Sequence, residues 1–242
     1  YLSPCSPPVS NPPRPPPDSA ATAPRHTPAS PSNPVEMRIS IILGHPKPGS
    51  FNHAIAATAR DTLATAGHDV TLHDLQAEGF DPVLPPEETV RDAKLPPDIQ
   101  RHCDEALASD AFVIVHPNWW GQPPAILKGW FDRVMRMGLA YRFGPNAKGE
   151  IGPIGLLRAR QAIVFTTANT PQAVDLARYG DPLQNLWTRC MLEFVGIPHV
   201  RRISFDPVIV STPEQRAAWL ADVRQHMTEL AQSLSQPQTP AN

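Results

Sequence analysis

Cysteine is scarce in this chain of 242 residues: Cys5, Cys103 and Cys190 are odd in number, far apart and without a C-x-x-C pair. That argues against a disulfide framework and a cysteine zinc site, and it fits a reducing cytoplasm. An excess of charge of one sign is also lacking. Lys and Arg number 21 against 23 Asp and Glu, a formal net charge of −2, so there is no basic footprint for nucleic acid. No run of ~18 apolar residues occurs, so neither a transmembrane helix nor membrane insertion is expected, and the first residues lack the apolar centre of a secretory signal. G-x-G-x-x-G, the G-x-x-x-x-G-K-[ST] phosphate loop, G-x-S-x-G and H-E-x-x-H are all missing. His45, His53, His68, His73 and His102 are dispersed along the chain, and no metal site is expected of them. Asp61, Asp74, Asp81, Glu87 and Glu88 show no spacing that pairs two carboxylates at a cleft, so glycosidase chemistry has no support.

Proline, by contrast, is abundant. Twelve of the 31 prolines fall in residues 1–36, where apolar residues are few and runs such as Pro12-Pro13-Arg14-Pro15-Pro16-Pro17 offer nothing to offset the entropy of ordering. Residues 1–36 are therefore expected to be a disordered Pro-rich tail, either native or an upstream extension, with a disordered C-terminus at 237–242. Met37 opens a second composition, and residues 37–236 are expected to form one domain.

Within that domain short apolar runs alternate with amphipathic stretches. Ile39-Ser40-Ile41-Ile42-Leu43, Val70 to Leu75, Ala111 to Val115, Ala162 to Phe165 and Val200 to Phe205 read as five strands, the first a short β-branched run suited to burial on both faces, the second alternating and the third fully apolar. Between and after them lie helical patterns at 52–66, 99–107, 124–137, 182–195 and 213–234, the last carrying Leu220, Val223, Met227, Leu230 and Leu234 at steps of three and four. This alternation predicts an α/β three-layer sandwich: a parallel sheet covered on both faces, with right-handed crossovers and ligand chemistry at the carboxyl ends of the strands.

Three loops then face the crevice. Gly44 to Asn52 joins the first strand to the first helix, where free N–H groups and the helix dipole suit an anion such as phosphate, with Ser50 and Asn52 adding side-chain donors; an ordinary turn capped by Ser50 is the alternative. His116-Pro117-Asn118-Trp119-Trp120-Gly121-Gln122-Pro123-Pro124 sets two adjacent tryptophans between prolines. They cannot both face a core from a strand, so one is expected to offer a flat aromatic wall to a planar ligand; a pair of surface-capping aromatics is the alternative. His116 itself reads as a structural histidine. Thr166-Thr167-Ala168-Asn169-Thr170-Pro171 is a Thr-rich turn able to bring N–H groups to a polar ring edge.

Taken together these residues resemble the flavodoxin-like NAD(P)H:quinone oxidoreductase family over residues 37–232. The most specific stretch is Pro123-Pro124-Ala125-Ile126-Leu127-Lys128-Gly129-Trp130-Phe131-Asp132-Arg133-Val134, joined by His45, Ser50-Phe51-Asn52-His53-Ala54 and Glu78-Gly79-Phe80-Asp81-Pro82-Val83-Leu84. The resemblance implies a flavodoxin-like sheet of order 2-1-3-4-5. It implies a flavin whose phosphate is held at His45, Ser50, Phe51, Asn52 and Ala54, whose ring lies along Pro117, Asn118, Trp119 and Trp120, and whose polar edge meets Thr166, Thr167, Ala168 and Asn169. Tyr141 and Phe143 match aromatics that, with Trp119 and Trp120, close the family's substrate pocket, often across a dimer interface; Phe143 departs from the more common Tyr. After Thr167 the mammalian members carry Gly-Gly and then a Tyr and a His that assist hydride transfer. This chain has Ala168-Asn169-Thr170-Pro171, and Tyr179 aligns with neither, so no catalytic residue is assigned.

The implied activity is two-electron reduction of quinones or similar electron-poor aromatics by NADPH or NADH through FAD, or alternatively FMN, in a cytoplasmic homodimer. A flavin-bearing ancillary subunit of the potassium-efflux type, or a one-electron flavodoxin-like carrier, are the alternative readings.

Overall fold

The computed structural model describes residues 36–145 and 149–235. The expected tail, apart from Glu36, and the expected C-terminal stretch at 237–242 lie outside the described residues. The elements run β1 (Arg38–Leu43), α1 (Phe51–Thr65), β2 (Asp69–Asp74), α2 (Pro97–Ala108), β3 (Ala111–Pro117), α3 (Ala125–Val134), β4 (Tyr141–Pro145), β5 (Ile151–Gly155), β6 (Gln161–Thr167), α4 (Gln172–Tyr179), α5 (Pro182–Asn185), β7 (His199–Phe205) and α6 (Pro213–Leu234). The chain continues from α5 directly into a π-helical stretch, Leu186–Glu193.

Five strands form one sheet in the order β2-β1-β3-β6-β7, with every neighbouring pair parallel. Set aside the hairpin β4-β5 and this is the expected 2-1-3-4-5 succession. The period of two along the strands sorts their side chains between two cores. Ile39, Ile41, Leu43, Val113, Val115 and Phe165 pack with Ile55 and Leu63 of α1 and Val223, Met227 and Leu230 of α6. Ile42, Phe112, Ile114 and Val164 point the other way, onto Ile99 and Cys103 of α2, Leu127 and Trp130 of α3, and Trp187 of the π-helical stretch. Each fully buried aliphatic side chain contributes about 1.5–3 kcal/mol over leaving it in water, which is why the apolar runs become strands of this sheet. Burial also pushes the Cys103 thiol up to about 11, so it stays a neutral part of the packing.

The hairpin and α4 were not legible as elements. Tyr141–Pro145 pairs antiparallel with Ile151–Gly155, two five-residue strands carrying Gly and Pro and no apolar alternation. Helix α4 buries none of its residues, so its sequence carries no core-facing stripe.

The long connection from β2 to α2 is held by charge. Arg133 of α3 and Glu88 of the connection, 3% and 4% exposed, form a buried ion pair, and Arg133 also donates to the Asp81 carbonyl at 2.7 Å. Gly129 lets the connection lie flat on α3: a Cβ there would stand 2.2 Å from the Pro82 carbonyl oxygen. These contacts position the helix whose preceding loop enters the site.

Candidate functional site

The three strand-end loops converge, together with residues of α4 and α6, on a cavity of about 1040 Å³ at the carboxyl edge of the sheet. His45, Ser50, Phe51 and Asn52 line it from the β1–α1 loop, Pro117, Asn118, Trp119 and Trp120 from the loop after β3, and Thr167, Ala168 and Asn169 from the loop after β6. Four expected residues are not part of that wall. Ala54 sits in the first turn of α1 with its N–H on the Ser50 carbonyl at 3.2 Å. Thr166 is fully buried beside Arg202, which donates to its hydroxyl at 3.0 Å. Tyr141 and Phe143 pack edge-to-face with each other and with Phe194, their ring centroids 4.9 to 6.3 Å apart, outside the cavity of the single chain.

At the β1–α1 end, Ser50, Phe51 and Asn52 bring the N-terminus of α1, the positive end of its dipole, to the cavity wall, with the His53 N–H already taken by the Ser50 carbonyl at 3.0 Å. Ser50 stands at the cap position, but its side chain makes no capping bond; its Oγ lies 2.8 Å from Nδ1 of His53 instead. Asn52 lines the cavity and also donates from its side-chain amide to Thr167 Oγ1 at 2.9 Å, tying α1 to β6. His45 accepts the Lys47 N–H on Nδ1 at 3.1 Å, and burial, the largest influence, holds its ring below the usual histidine range.

The tryptophan loop is a tight reversal. Trp119 and Gln122 exchange two backbone hydrogen bonds of 3.0 Å, and Trp120 and Gly121 occupy the left-handed region with φ of 59° and 73°, the dihedral signs of a type I′ turn. The Asn118 side chain supports it, accepting from Gly121 N at 3.0 Å and donating to Asp175 of α4 at 2.9 Å. Trp119 is 44% exposed and Trp120 is fully exposed at 101%. A bulky residue held at positive φ and left in solvent is strained without a packing return inside its own chain, which marks the turn as built for a contact. Beneath it His116 is structural, as the sequence indicated. Nε2 accepts from the Trp187 indole at 2.8 Å and Nδ1 donates to the Pro117 carbonyl at 2.8 Å. Burial pushes its pKa down to about 4.

The third loop is stitched to the chain after β7: Ala168 N donates to Phe205 O at 3.1 Å, Ala168 O accepts from Val208 N at 2.8 Å, and Asn169 Oδ1 accepts from Ile209 N at 3.1 Å. Its first N–H is thus taken, and the stitching carries Val208 and, from α6, Arg216 to the cavity. Sequence reasoning missed these two, as well as Asp175 and Pro182, because only the crossing of separate elements makes them neighbours; Lys47 lies within the β1–α1 loop it singled out but was given no role there. Tyr179, which alignment could not place, ends α4 on the cavity wall and is 64% exposed.

One pair of histidines read as dispersed is brought together. His73 and His102 lie with ring centroids 4.5 Å apart around Glu78, ligand atoms of all three falling within 4.8 Å of one another. Nδ1 and Nε2 of His73 face Glu78 and Glu105 at 3.0 and 2.9 Å, and Nε2 of His102 faces Glu78 at 3.1 Å. The Trp130 indole donates to His102 Nδ1 at 3.3 Å, so the proton of that ring resides on Nε2 and is directed at Glu78. Burial would raise the Glu78 carboxyl, yet the bonds from His102 and His73 outweigh it and hold it well below the carboxylate range. The cluster is a hydrogen-bonded clasp between β2, its following loop and α2.

Comparison with known proteins accords with the geometry. The chain is 38% identical over 134 residues to an uncharacterised NAD(P)H oxidoreductase of Haemophilus influenzae, covering 54% of this chain and 64% of that protein, just under two thirds of its length. It is 30% identical over 209 residues to the ribosyldihydronicotinamide dehydrogenase [quinone] of Pongo abelii, covering 75% of this chain and 88% of the relative. A Streptococcus mutans crystal structure superposes with a TM-score of 0.69 at 28% identity, over 80% of this chain and all of the other. The model of a family described as having the flavodoxin-like fold matches residues 37–229. The chain therefore belongs to the flavodoxin-like fold family and is similar to relatives named as NAD(P)H oxidoreductases and quinone dehydrogenases.

Proposed function

We propose that the chain is a flavin-dependent NAD(P)H:quinone oxidoreductase. The observation that carries this is the convergence of the α1 N-terminus, the double-tryptophan turn and the Thr167–Asn169 loop on one cavity. Its ~1040 Å³ lies at the top of the range for small-molecule sites and favours a dinucleotide, FAD, with FMN as the smaller alternative. The donor set fits such a group: the Phe51 and Asn52 N–H groups at the start of α1, Ser50, Lys47 and Arg216 suit phosphate oxygens, and the Trp119 face suits a planar ring. When bound, a flavin supplies the two-electron relay between a nicotinamide and a quinone. The protein's own part is placement. Trp119 and Trp120 wall the ring and exclude water, the buried Asn52–Thr167 link holds two loops at a fixed separation, and His116 braces the tryptophan turn as a neutral donor and acceptor.

A homodimer is part of the proposal. Phe143, Ile151, Leu176, Tyr179, Ile209 and Val210 are exposed apolar side chains, and a second copy covering them would also bring its Tyr141 and Phe143 toward the pocket. No described helix is long and apolar enough to cross a membrane, and the proposed setting is the cytoplasm.

The test is the absorbance spectrum and mass of any cofactor released on denaturation, followed by oxidation of NADPH and NADH in the presence of a simple quinone. A protein that carries no yellow chromophore and takes up neither FAD nor FMN ends the proposal.

A further inference from the structure

Ser50, His53 and Asp74 form a hydrogen-bonded chain at the edge of the cavity. Ser50 Oγ lies 2.8 Å from His53 Nδ1, and His53 Nε2 lies 3.1 Å from Asp74 Oδ2. Ser50 and His53 are one turn apart on α1, while Asp74 ends β2, so the chain joins the cavity wall to the neighbouring strand. The other groups near the His53 ring are its neighbours on the β1–α1 loop. His45 lies with ring centroids 6.0 Å away, and Lys47 turns its backbone N–H onto His45 Nδ1. The second oxygen of Asp74 accepts from Ala77 N at 3.2 Å.

The chemistry of these groups restricts where the protons reside. An ionised carboxylate only accepts, so the Asp74 contact places a hydrogen on His53 Nε2. In the neutral ring Nδ1 is then bare and can only accept, which draws the Ser50 hydroxyl hydrogen onto it and leaves only Ser50 lone pairs for the cavity. Those lone pairs repel an oxyanion. If the ring takes up a proton, Nδ1–H donates to Ser50 Oγ and the hydroxyl hydrogen is released to turn toward the cavity. An anion that accepts from Ser50 therefore selects the protonated ring, whose new charge faces Asp74.

We propose that His53, oriented by Asp74, is a positioning residue that sets the direction of the Ser50 hydroxyl and makes phosphate binding at the β1–α1 loop proton-linked. This rests on the reading that the loop holds the flavin phosphate. By reciprocity of linkage, binding takes up a proton at His53, and affinity rises as pH falls, with a limit of about tenfold per pH unit for one proton.

The experiment measures dissociation constants of FAD for the full chain between pH 5.5 and 8.5 by quenching of flavin fluorescence. The pyrophosphate does not titrate over that range. Riboflavin, which has no phosphate, is the ligand control, and His53→Gln and Ser50→Ala are the protein controls. Proton uptake is read separately by calorimetry in buffers of different ionisation enthalpy. We expect FAD to bind the unmodified protein about tenfold more tightly at pH 6 than at pH 8, with uptake of a fraction of a proton. Riboflavin binding and FAD binding to both variants would be nearly flat in pH. Circular dichroism of the variants separates a lost linkage from lost folding, and a misfolded His53→Gln is replaced by His53→Asn in the same comparison. If FAD binds with the same pH profile to the unmodified protein and to folded variants, or riboflavin shows the same slope, the proton link is overturned while the flavin reading stands. If no flavin binds at any pH, both readings fall.

Discussion

The indole N–H of Trp187 donates to Nε2 of His116 across 2.8 Å, in the floor beneath the tryptophan turn, with both residues fully buried. That bond, with the one from Nδ1 to the Pro117 carbonyl, requires the neutral imidazole. The folded pKa of about 4 lies below the ordinary value of 6.5. Between those values the unfolded chain binds the proton and the folded chain does not. The contribution of His116 to stability is therefore complete above pH 6.5 and declines as pH falls toward 4, by on the order of 3 kcal/mol over the whole window. Urea unfolding followed by tryptophan fluorescence at pH 4.5, 5.5 and 7 measures this. His116→Gln is expected to flatten the profile, and an equally steep decline in that variant would assign the acid sensitivity elsewhere.

Trp120 separates function from stability. Its side chain is wholly exposed and its backbone is in the left-handed region, so Trp120→Gly removes a strain of roughly 1–2 kcal/mol and no internal packing. The expected result is a melting temperature equal to or above that of the parent, with weakened flavin retention or a lower kcat/KM for quinone. Trp119→Ala is expected to weaken the same functions. Unchanged values for both variants would remove this turn from the site.

Glu88 and Arg133 form a buried ion pair, with the Asp81 carboxylate 3.7 Å from Arg133 and Arg136 3.9 Å from Glu88, so removing one partner leaves the other buried charge with only its more distant neighbour. Glu88→Gln is expected to cost about 3–5 kcal/mol in denaturant unfolding, whereas replacing both residues with apolar ones of similar volume costs much less. Additive losses in the double variant would show that the pair is not the unit of stability.

Gly129 tolerates no side chain where α3 meets the connection at Pro82. Gly129→Ala forces the two apart by more than side-chain rotation can relieve, because the contacting atom is a backbone oxygen. A fall in melting temperature of several degrees and faster proteolysis within residues 76–97 are expected. Intact resistance in that segment would mean that Arg133 and Arg136, which bond its Asp81, Glu88 and Val90 carbonyls, suffice to anchor the connection.

The architecture was readable because period and composition are local quantities. The five apolar runs from Ile39 to Phe205, the stripe of Val223, Met227 and Leu230, and the absence of a cysteine framework or a charge excess are properties of neighbouring residues. They settle an α/β sheet with helices on both faces. The three crevice loops followed from that sheet, since ligand chemistry in such folds collects at the carboxyl ends of the strands. The hairpin at Tyr141–Gly155 and helix α4 carry no such local signal: one is short and broken by Gly and Pro, and the other buries nothing.

What the tertiary structure alone decided is which polar group meets which. Asn52 meets Thr167, 115 residues away, at the cavity wall. His116 meets Trp187, His73 and His102 close around Glu78, and Arg216 arrives from the last helix. Each depends on where a crossover deposits an element from far along the chain, and on the direction in which a hydrogen bond or buried charge must be satisfied once it is there. Spacing in a sequence holds the first kind of information, because burial repeats with the geometry of a strand or helix. It does not hold the second, because a hydrogen-bond partner is chosen by proximity in space.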